Sequence, residues 1–383
     1  MKKIIVFGAT GNTGVYFTDY CKKNLDPQEY EVIAVGRKNT NIFEDNHITY
    51  YRADIRKQDD FEQLPRDDVY AVVNMAGLLP AYLREYDPFA YVDTNIIGAL
   101  RILEYARKVG ADRVLYTQTW AEMAGYWGKE EVLRPSMRHC LCYTGDHAFY
   151  AITKSMIVDT MEHYHQEYGL KSFVFRLPNI YLYSPEKTYY VNCAERPIAY
   201  RYMIDRAIAG QDIELWGNPD AFKDIVYVKD LCQMMAKALT AQVDGGTYNV
   251  GTGIKTTLRE QIEGIIRVFS PDNHPSRIIP CPEKPSFVSF VMDVENAKND
   301  LGYSPQYDYI SYLRDYKVEM EKKRFDRLWQ KTEDIGEVGK EQNMEQNRNI
   351  YIYIYIIDTN ILTTCCMAKR SVRDSSPQAG GQQ

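Results

Sequence analysis

The feature that most constrains how this chain folds lies at its start. An apolar run at 3–7 ends in Gly8-Ala9-Thr10-Gly11-Asn12-Thr13-Gly14, and a helical pattern follows directly. Gly8 permits a tight turn out of a strand, Gly11 lets the backbone approach a diphosphate, and Gly14 lets the helix settle closely on a sheet. The helix N-terminus offers unpaired N–H groups and a positive dipole end, which suit phosphate oxygens. A glycine triplet alone carries little weight; its place between a strand and a helix gives it meaning. Thr10, Asn12 and Thr13 in the same turn are expected to share the cofactor contact.

The pattern beyond that turn alternates. Strands are expected at 32–35, 48–53, 69–74, 113–117 and 172–177, and helices at 13–23, 58–63 and 93–109. Ile96, Leu100, Leu103 and Ala106 recur at helical spacing, and Gly110 stops the helix. Strands alternating with helices imply right-handed βαβ units, hence an α/β, doubly wound parallel sheet of the Rossmann type. After 177 the alternation loosens into helices at 201–209, 230–239 and 258–268, which read as a smaller C-terminal lobe. We expect a dinucleotide-binding domain at 1–175 and a mostly substrate-binding lobe with returning sheet elements at 176–325. A tail at 326–383, outside the catalytic fold, is expected to follow. That tail holds the uncharged β-prone run Ile350-Tyr351-Ile352-Tyr353-Ile354-Tyr355-Ile356-Ile357.

Composition removes other classes. A net charge of -6 over 383 residues offers no basic nucleic-acid footprint. The chain has no apolar run long enough for a membrane span, and its first apolar stretch reads as a buried strand rather than a signal peptide. The 8 cysteines are scattered without a CxxC pair, so free thiols in a cytoplasmic protein are expected. Cys140 and Cys142 with His139 and His147 match no common zinc spacing, and no metal is expected.

After the second strand, where an NAD site usually carries Asp or Glu, stands Gly36-Arg37-Lys38. Arg37 suits a 2′-phosphate, which favours NADP over NAD. Asp54 and Ile55, after the third strand, are placed to flank an adenine. Tyr150 and Lys154 are four apart, so a helix sets phenol and ammonium on one face. The ammonium favours the phenolate, which makes Tyr150 a general acid/base. Thr119 follows the fifth strand at the edge where ligands bind in such folds, and its hydroxyl is placed for the same substrate oxygen.

These residues together resemble the extended short-chain dehydrogenase/reductases, the NAD-dependent epimerase/dehydratases, over about 1–325. The resemblance rests on 8–14, Asp54-Ile55, Asn74-Met75-Ala76-Gly77, Asn95, Tyr116-Thr117-Gln118-Thr119, the Tyr150/Lys154 pair and Arg176-Leu177-Pro178-Asn179-Ile180-Tyr181. Leu215-Trp216-Gly217, 223–230 and 293–302 extend it. It implies catalytic roles for Thr119, Tyr150 and Lys154. Cofactor contact is implied for Gly8, Gly11, Gly14, Arg37, Asp54, Lys154 and the Ala76-Gly77 backbone, with Asn95 beside them. Substrate contact is implied for Asn179, Trp216 and Lys223, commonly with a sugar nucleotide, and homodimerisation through the helices at 93–109 and 155–168. Two departures stand out. The dehydratases' Asp-Glu pair after the Thr is Trp120-Ala121 here, which argues against dehydration, and a phosphate-binding arginine is Lys223. Three readings stay open: an epimerase that recycles its cofactor, an NADPH-consuming ketone reductase, and a cofactor-sensing scaffold.

Overall fold

The computed structural model describes residues 1–329. Strands β1 (Lys2–Phe7), β2 (Tyr30–Gly36), β3 (Thr49–Arg52), β4 (Val69–Asn74), β5 (Arg113–Thr119), β6 (Lys171–Leu177) and β7 (Gly245–Asn249) form one sheet in the order β7-β6-β5-β4-β1-β2-β3. Every pairing within it is parallel. Both faces of the strands are buried, so alternate residues feed separate cores. Ile4, Val6, Ala34, Val73, Leu115 and Phe173 enter one cluster; Ile5, Phe7, Val35, Val72, Val114 and Val174 enter the other. That near-continuous apolar run is what a sheet covered by helices on both sides requires.

Helices α1 (Asn12–Asn24), α2 (Ala99–Lys108) and α3 (Ala148–Tyr168) come from the first half of the chain. Residues after 177 supply α4 (Ala199–Ile208), α5 (Val228–Ala238), α6 (Leu258–Phe269), α7 (Glu295–Leu301) and α8 (Tyr309–Lys322). Ile102, Leu103 and Ala106 of α2 and Ile157, Met161 and Tyr164 of α3 cover the second face. Gly110 and Gly169, both at φ +68°, end the segments that follow α2 and α3 in the left-handed region that favours glycine.

The structure corrects several expectations. The helix expected at 58–63 is one 3-10 turn, Asp59–Phe61; Pro65 forbids a longer run. The helix expected at 93–109 begins with a π-helical stretch, Val92–Gly98. The wider turn rotates Ile96 out of line, and the buried stripe starts at Ala99 and Ile102 instead. No strand was placed at β7, although returning sheet elements were expected after 176, since Gly245-Gly246-Thr247-Tyr248-Asn249 has no apolar run. Its Gly245 lets the strand close on β6: a Cβ there would lie 2.0 Å from the Ser172 carbonyl oxygen. Residues 326–329 pack against the fold instead of leaving it at 326, with Leu328 buried. The Ile/Tyr run lies outside the described residues.

Candidate active site

The carboxyl ends of β1, β2 and β4 open into a cleft of about 320 Å³. Gly8, Thr10, Gly11, Asn12, Arg37, Asp54, Ile55, Ala76 and Gly77 all line it. Its floor is bare backbone by necessity. Gly8 sits at φ +82°, and a Cβ there would meet the Ala76 amide nitrogen at 2.6 Å. A Cβ at Gly14 would lie 2.1 Å from the Gly8 carbonyl oxygen, so Gly14 serves the packing of turn on helix behind the cleft. Among the described residues no side chain caps the N-terminus of α1, which leaves its first amides suited to an anion. A bare floor, open amides and the Arg37 cation fit a dinucleotide diphosphate and its ribose.

Neighbouring residues hold this shape. Asn95, buried in the π-helical stretch, accepts from the Leu78 amide at 2.7 Å and donates to the Leu78 carbonyl at 3.0 Å. It also donates to Thr153 Oγ1 on α3 at 3.3 Å. Asn95 therefore positions the loop at 76–78, and it does not itself line the cleft. Neither does Thr13. Arg56 forks the Asp54 carboxylate, Nε to Oδ1 at 3.0 Å and Nη2 to Oδ2 at 2.6 Å, and holds its pKa below the usual carboxylate range. Arg56 thus takes up much of the acceptor capacity of the Asp54 carboxylate.

Thr119 ends β5, and Tyr150 and Lys154 lie in the first turns of α3. All three are buried. Burial raises the Tyr150 pKa, and a hydrogen bond from the Thr119 hydroxyl opposes the rise. Burial also pushes Lys154 down to about 7. Its Nζ stands 4.0 Å from the centroid of the Tyr116 ring and 3.8 Å from where a Cβ on Gly77 would be. Gly77 thus joins the two groups of residues: it lines the cleft, and the Lys154 ammonium lies beneath it.

The scan against protein families matches the NAD dependent epimerase/dehydratase family over residues 4–251. The chain belongs to that family. It is an enzyme of the extended short-chain dehydrogenase/reductase type. A UDP-glucuronic acid decarboxylase of Arabidopsis thaliana is 23% identical over 324 residues, covering 79% of this chain and 84% of that one. The UDP-glucose 4-epimerase of Thermotoga maritima, solved with UDP-glucose, superposes at a TM-score of 0.65 with 21% identity, over 84% of this chain and 100% of that one. The UDP-glucose 4-epimerase of Thermus thermophilus, solved with NAD, gives 0.63 and 20%, over 82% and 98%.

In this family member the two positions after Thr119 are filled by packing. The Trp120 ring lies 4.2 Å from Trp127 and 4.4 Å from Phe290, centroid to centroid. Ala121 is buried beside them. Behind that cluster, Glu122 pairs with Arg176 Nε at 2.5 Å and accepts from Gln118 at 2.7 Å. Arg176 also donates to Asn249 Oδ1 at 3.0 Å and to the Met137 carbonyl at 3.2 Å. Asn249 donates in turn to the Leu133 carbonyl at 2.7 Å. The unusual segment at 120–147 is thereby fastened to β5, β6 and β7.

The expected substrate residues stand apart from the cleft. Asn179 is exposed just after β6. Trp216 is buried in the lobe with Lys284 over its ring at 5.1 Å, and Lys223 lies over the Phe287 ring at 4.3 Å. Sequence reasoning missed Tyr82, Glu186 and Trp329, which complete the cleft wall. Asn12 donates to the Tyr82 hydroxyl at 3.2 Å and to Glu186 at 3.4 Å. No motif flags these three, because they reach the cleft from distant parts of the chain.

Proposed function

We propose that the enzyme is a nucleotide-sugar 4-epimerase or a close relative, with Tyr150 as its general acid/base. One observation supports the reading: Lys154 Nζ lies 3.8 Å from where a Cβ on Gly77 would be, at the wall of a cleft that fits a dinucleotide, and one helical turn before it Tyr150 is hydrogen-bonded to Thr119. The relatives named above supply the substrate class, since each is named for a UDP-linked sugar.

A nicotinamide dinucleotide in the cleft would supply reversible two-electron chemistry; the protons and the geometry fall to the chain. Gly8, Gly11 and the first amides of α1 would hold the diphosphate, and Arg37 the adenosine ribose. Lys154, under Gly77, would hold the other ribose. Tyr150 takes the proton from a sugar hydroxyl and returns it to the carbonyl oxygen that results. The Thr119 hydroxyl donates to the same oxygen and steadies its charge. Negative charge arriving in the cleft favours the ammonium form of Lys154, and that ammonium favours the Tyr150 phenolate. Binding in the cleft therefore arms the base.

A second reading, a net ketone reductase drawing on NADPH, is favoured by Arg37, which lines the cleft exposed at the end of β2. We also propose a homodimer in the cytoplasm, formed by the faces of α2 and α3 near which Ile97 and Met156 are exposed.

The test is absorbance and fluorescence of the purified protein, titration with NADH and NADPH, and assay with UDP-glucose. The epimerase reading expects a cofactor that co-purifies and is not consumed as UDP-galactose forms. Tyr150→Phe should slow turnover about 10³-fold while cofactor binding stays intact. Consumption of NADPH in step with product supports the reductase. Survival of turnover in Tyr150→Phe overturns the mechanism, and failure to bind either dinucleotide overturns the proposal.

A further inference from the structure

The wall of the cleft beside Arg37 is built by the last described residues, and its construction is residue by residue. After α8, Lys323 at φ +48° turns the chain back toward the sheet. Arg324 pairs with Asp19 on α1 at 2.8 Å and with Glu319 at 2.9 Å. Phe325 is buried edge-on against Tyr16, 5.0 Å between centroids. Arg327 pairs with Asp45 at 2.7 Å. Leu328 is buried, and its carbonyl accepts from Lys38 Nζ at 2.5 Å. Trp329 then stands half-buried in the cleft lining together with Arg37 and Lys38.

The position is specific. In a doubly wound sheet the residues just after the second strand meet the ribose at the adenosine end of a dinucleotide. Two cations follow β2, and one of them, Lys38, is directed at the Leu328 carbonyl instead of standing open beside Arg37. An indole there offers a broad flat face, and every base has a matching π-face. We propose that Trp329 is a cofactor-binding residue that covers the adenosine end, and that Lys38 holds it in place through Leu328. The inference rests on the dinucleotide reading of the cleft.

The experiment measures dissociation constants by calorimetry for NADH, ADP-ribose and nicotinamide mononucleotide. It uses the full chain as wild type, Trp329→Ala, Trp329→Phe and Lys38→Met. Trp329→Ala should weaken NADH and ADP-ribose about tenfold and leave nicotinamide mononucleotide unchanged. Trp329→Phe should keep most of the affinity, because a flat ring remains. Lys38→Met should weaken ADP-ribose by a smaller factor. Should the alanine variant fail to fold, a second reading decides: ADP-ribose should quench wild-type tryptophan fluorescence more than that of Trp329→Phe. Wild-type affinity for ADP-ribose in a folded Trp329→Ala, or equal quenching in wild type and Trp329→Phe, overturns the inference and leaves the dinucleotide reading standing. A wild type that binds neither NADH nor ADP-ribose overturns that reading, and this inference with it.

Discussion

Two neighbouring regions of this molecule are built by opposite means. The cleft at the glycine turn is mostly backbone: Gly8, Gly11, Gly77 and the open N-terminus of α1 offer amides and space, within turns of a few residues. The region after Thr119 is a web of side chains drawn from distant positions. The segment at 120–147 is fixed by Glu122, Arg176 and Asn249, three residues on three separate elements. The difference follows from what each region is made of. Amides that suit a diphosphate can be supplied by one turn, so a short local motif suffices. A long segment without such a motif takes its shape from contacts across the chain.

Breaking one side should leave the other readable. The largest effect is expected from Glu122→Gln, which leaves the buried Arg176 guanidinium without its counter-charge. Loss of one partner of a buried pair costs about 3–5 kcal/mol. Urea unfolding should show that loss, while NADH affinity of the folded fraction stays within about twofold. A parallel fall in NADH affinity would mean that the two sides are not separable.

Gly8→Ala is the converse, and somewhat smaller. The added methyl meets the Ala76 amide nitrogen at 2.6 Å and sits at positive φ, a combination worth roughly 2–4 kcal/mol. Dinucleotide binding should drop by about two orders of magnitude. The Trp120–Trp127 cluster should be untouched, with a near-ultraviolet circular dichroism spectrum like that of wild type. A changed spectrum would argue that the turn also supports the far side.

The last test, read as a slope with pH rather than as a single loss, sharpens the junction at Lys154. Its folded value of about 7 lies below the ordinary 10.5. Between those values the unfolded chain binds the extra proton, so this residue makes stability rise with pH across the window and fall as pH drops toward 7. The slope is at most about 1.4 kcal/mol per pH unit. The difference in stability between wild type and Lys154→Met, followed by thermal melting from pH 7 to 10 without cofactor, isolates it from other groups. A difference that is flat with pH would place the ammonium in water rather than under Gly77.

The same contrast decides what could be read from the sequence. Six strands and the glycine turn were legible, because each rests on periodicity or spacing within a few residues. The π-helical stretch that delivers Asn95 was not, since one residue too many in a turn leaves no compositional mark. Nor was the hairpin of Thr188–Val191 with Ala194–Pro197. Its turn sets Asn192 and Cys193 at φ +47° and +62°, where an Asn-Gly pair would have announced it. Gly14 packs turn on helix as its place in the motif implied, while the hold of Asn95 on the loop at 76–78 left no mark in the sequence. Tyr82, Glu186 and Trp329 carried no signal, because only the finished fold brings them to the cleft.

The seventh strand has a consequence for how the molecule is made. As the chain leaves the ribosome, β6 is synthesised long before its outer neighbour, so Ser172 waits for Gly245 and Arg176 for Asn249. Until the lobe between them has been threaded back, the edge Lys171–Leu177, with its Phe173, Val174 and Phe175, stands bare. An unpaired apolar edge is a template for any other strand it meets. Its closing contact is among the least local in the sheet, and such contacts form slowly. The nascent protein is therefore most vulnerable to misassembly in the interval between residues 177 and 249, when the helix that carries Tyr150 already exists and the sheet that supports it is still open.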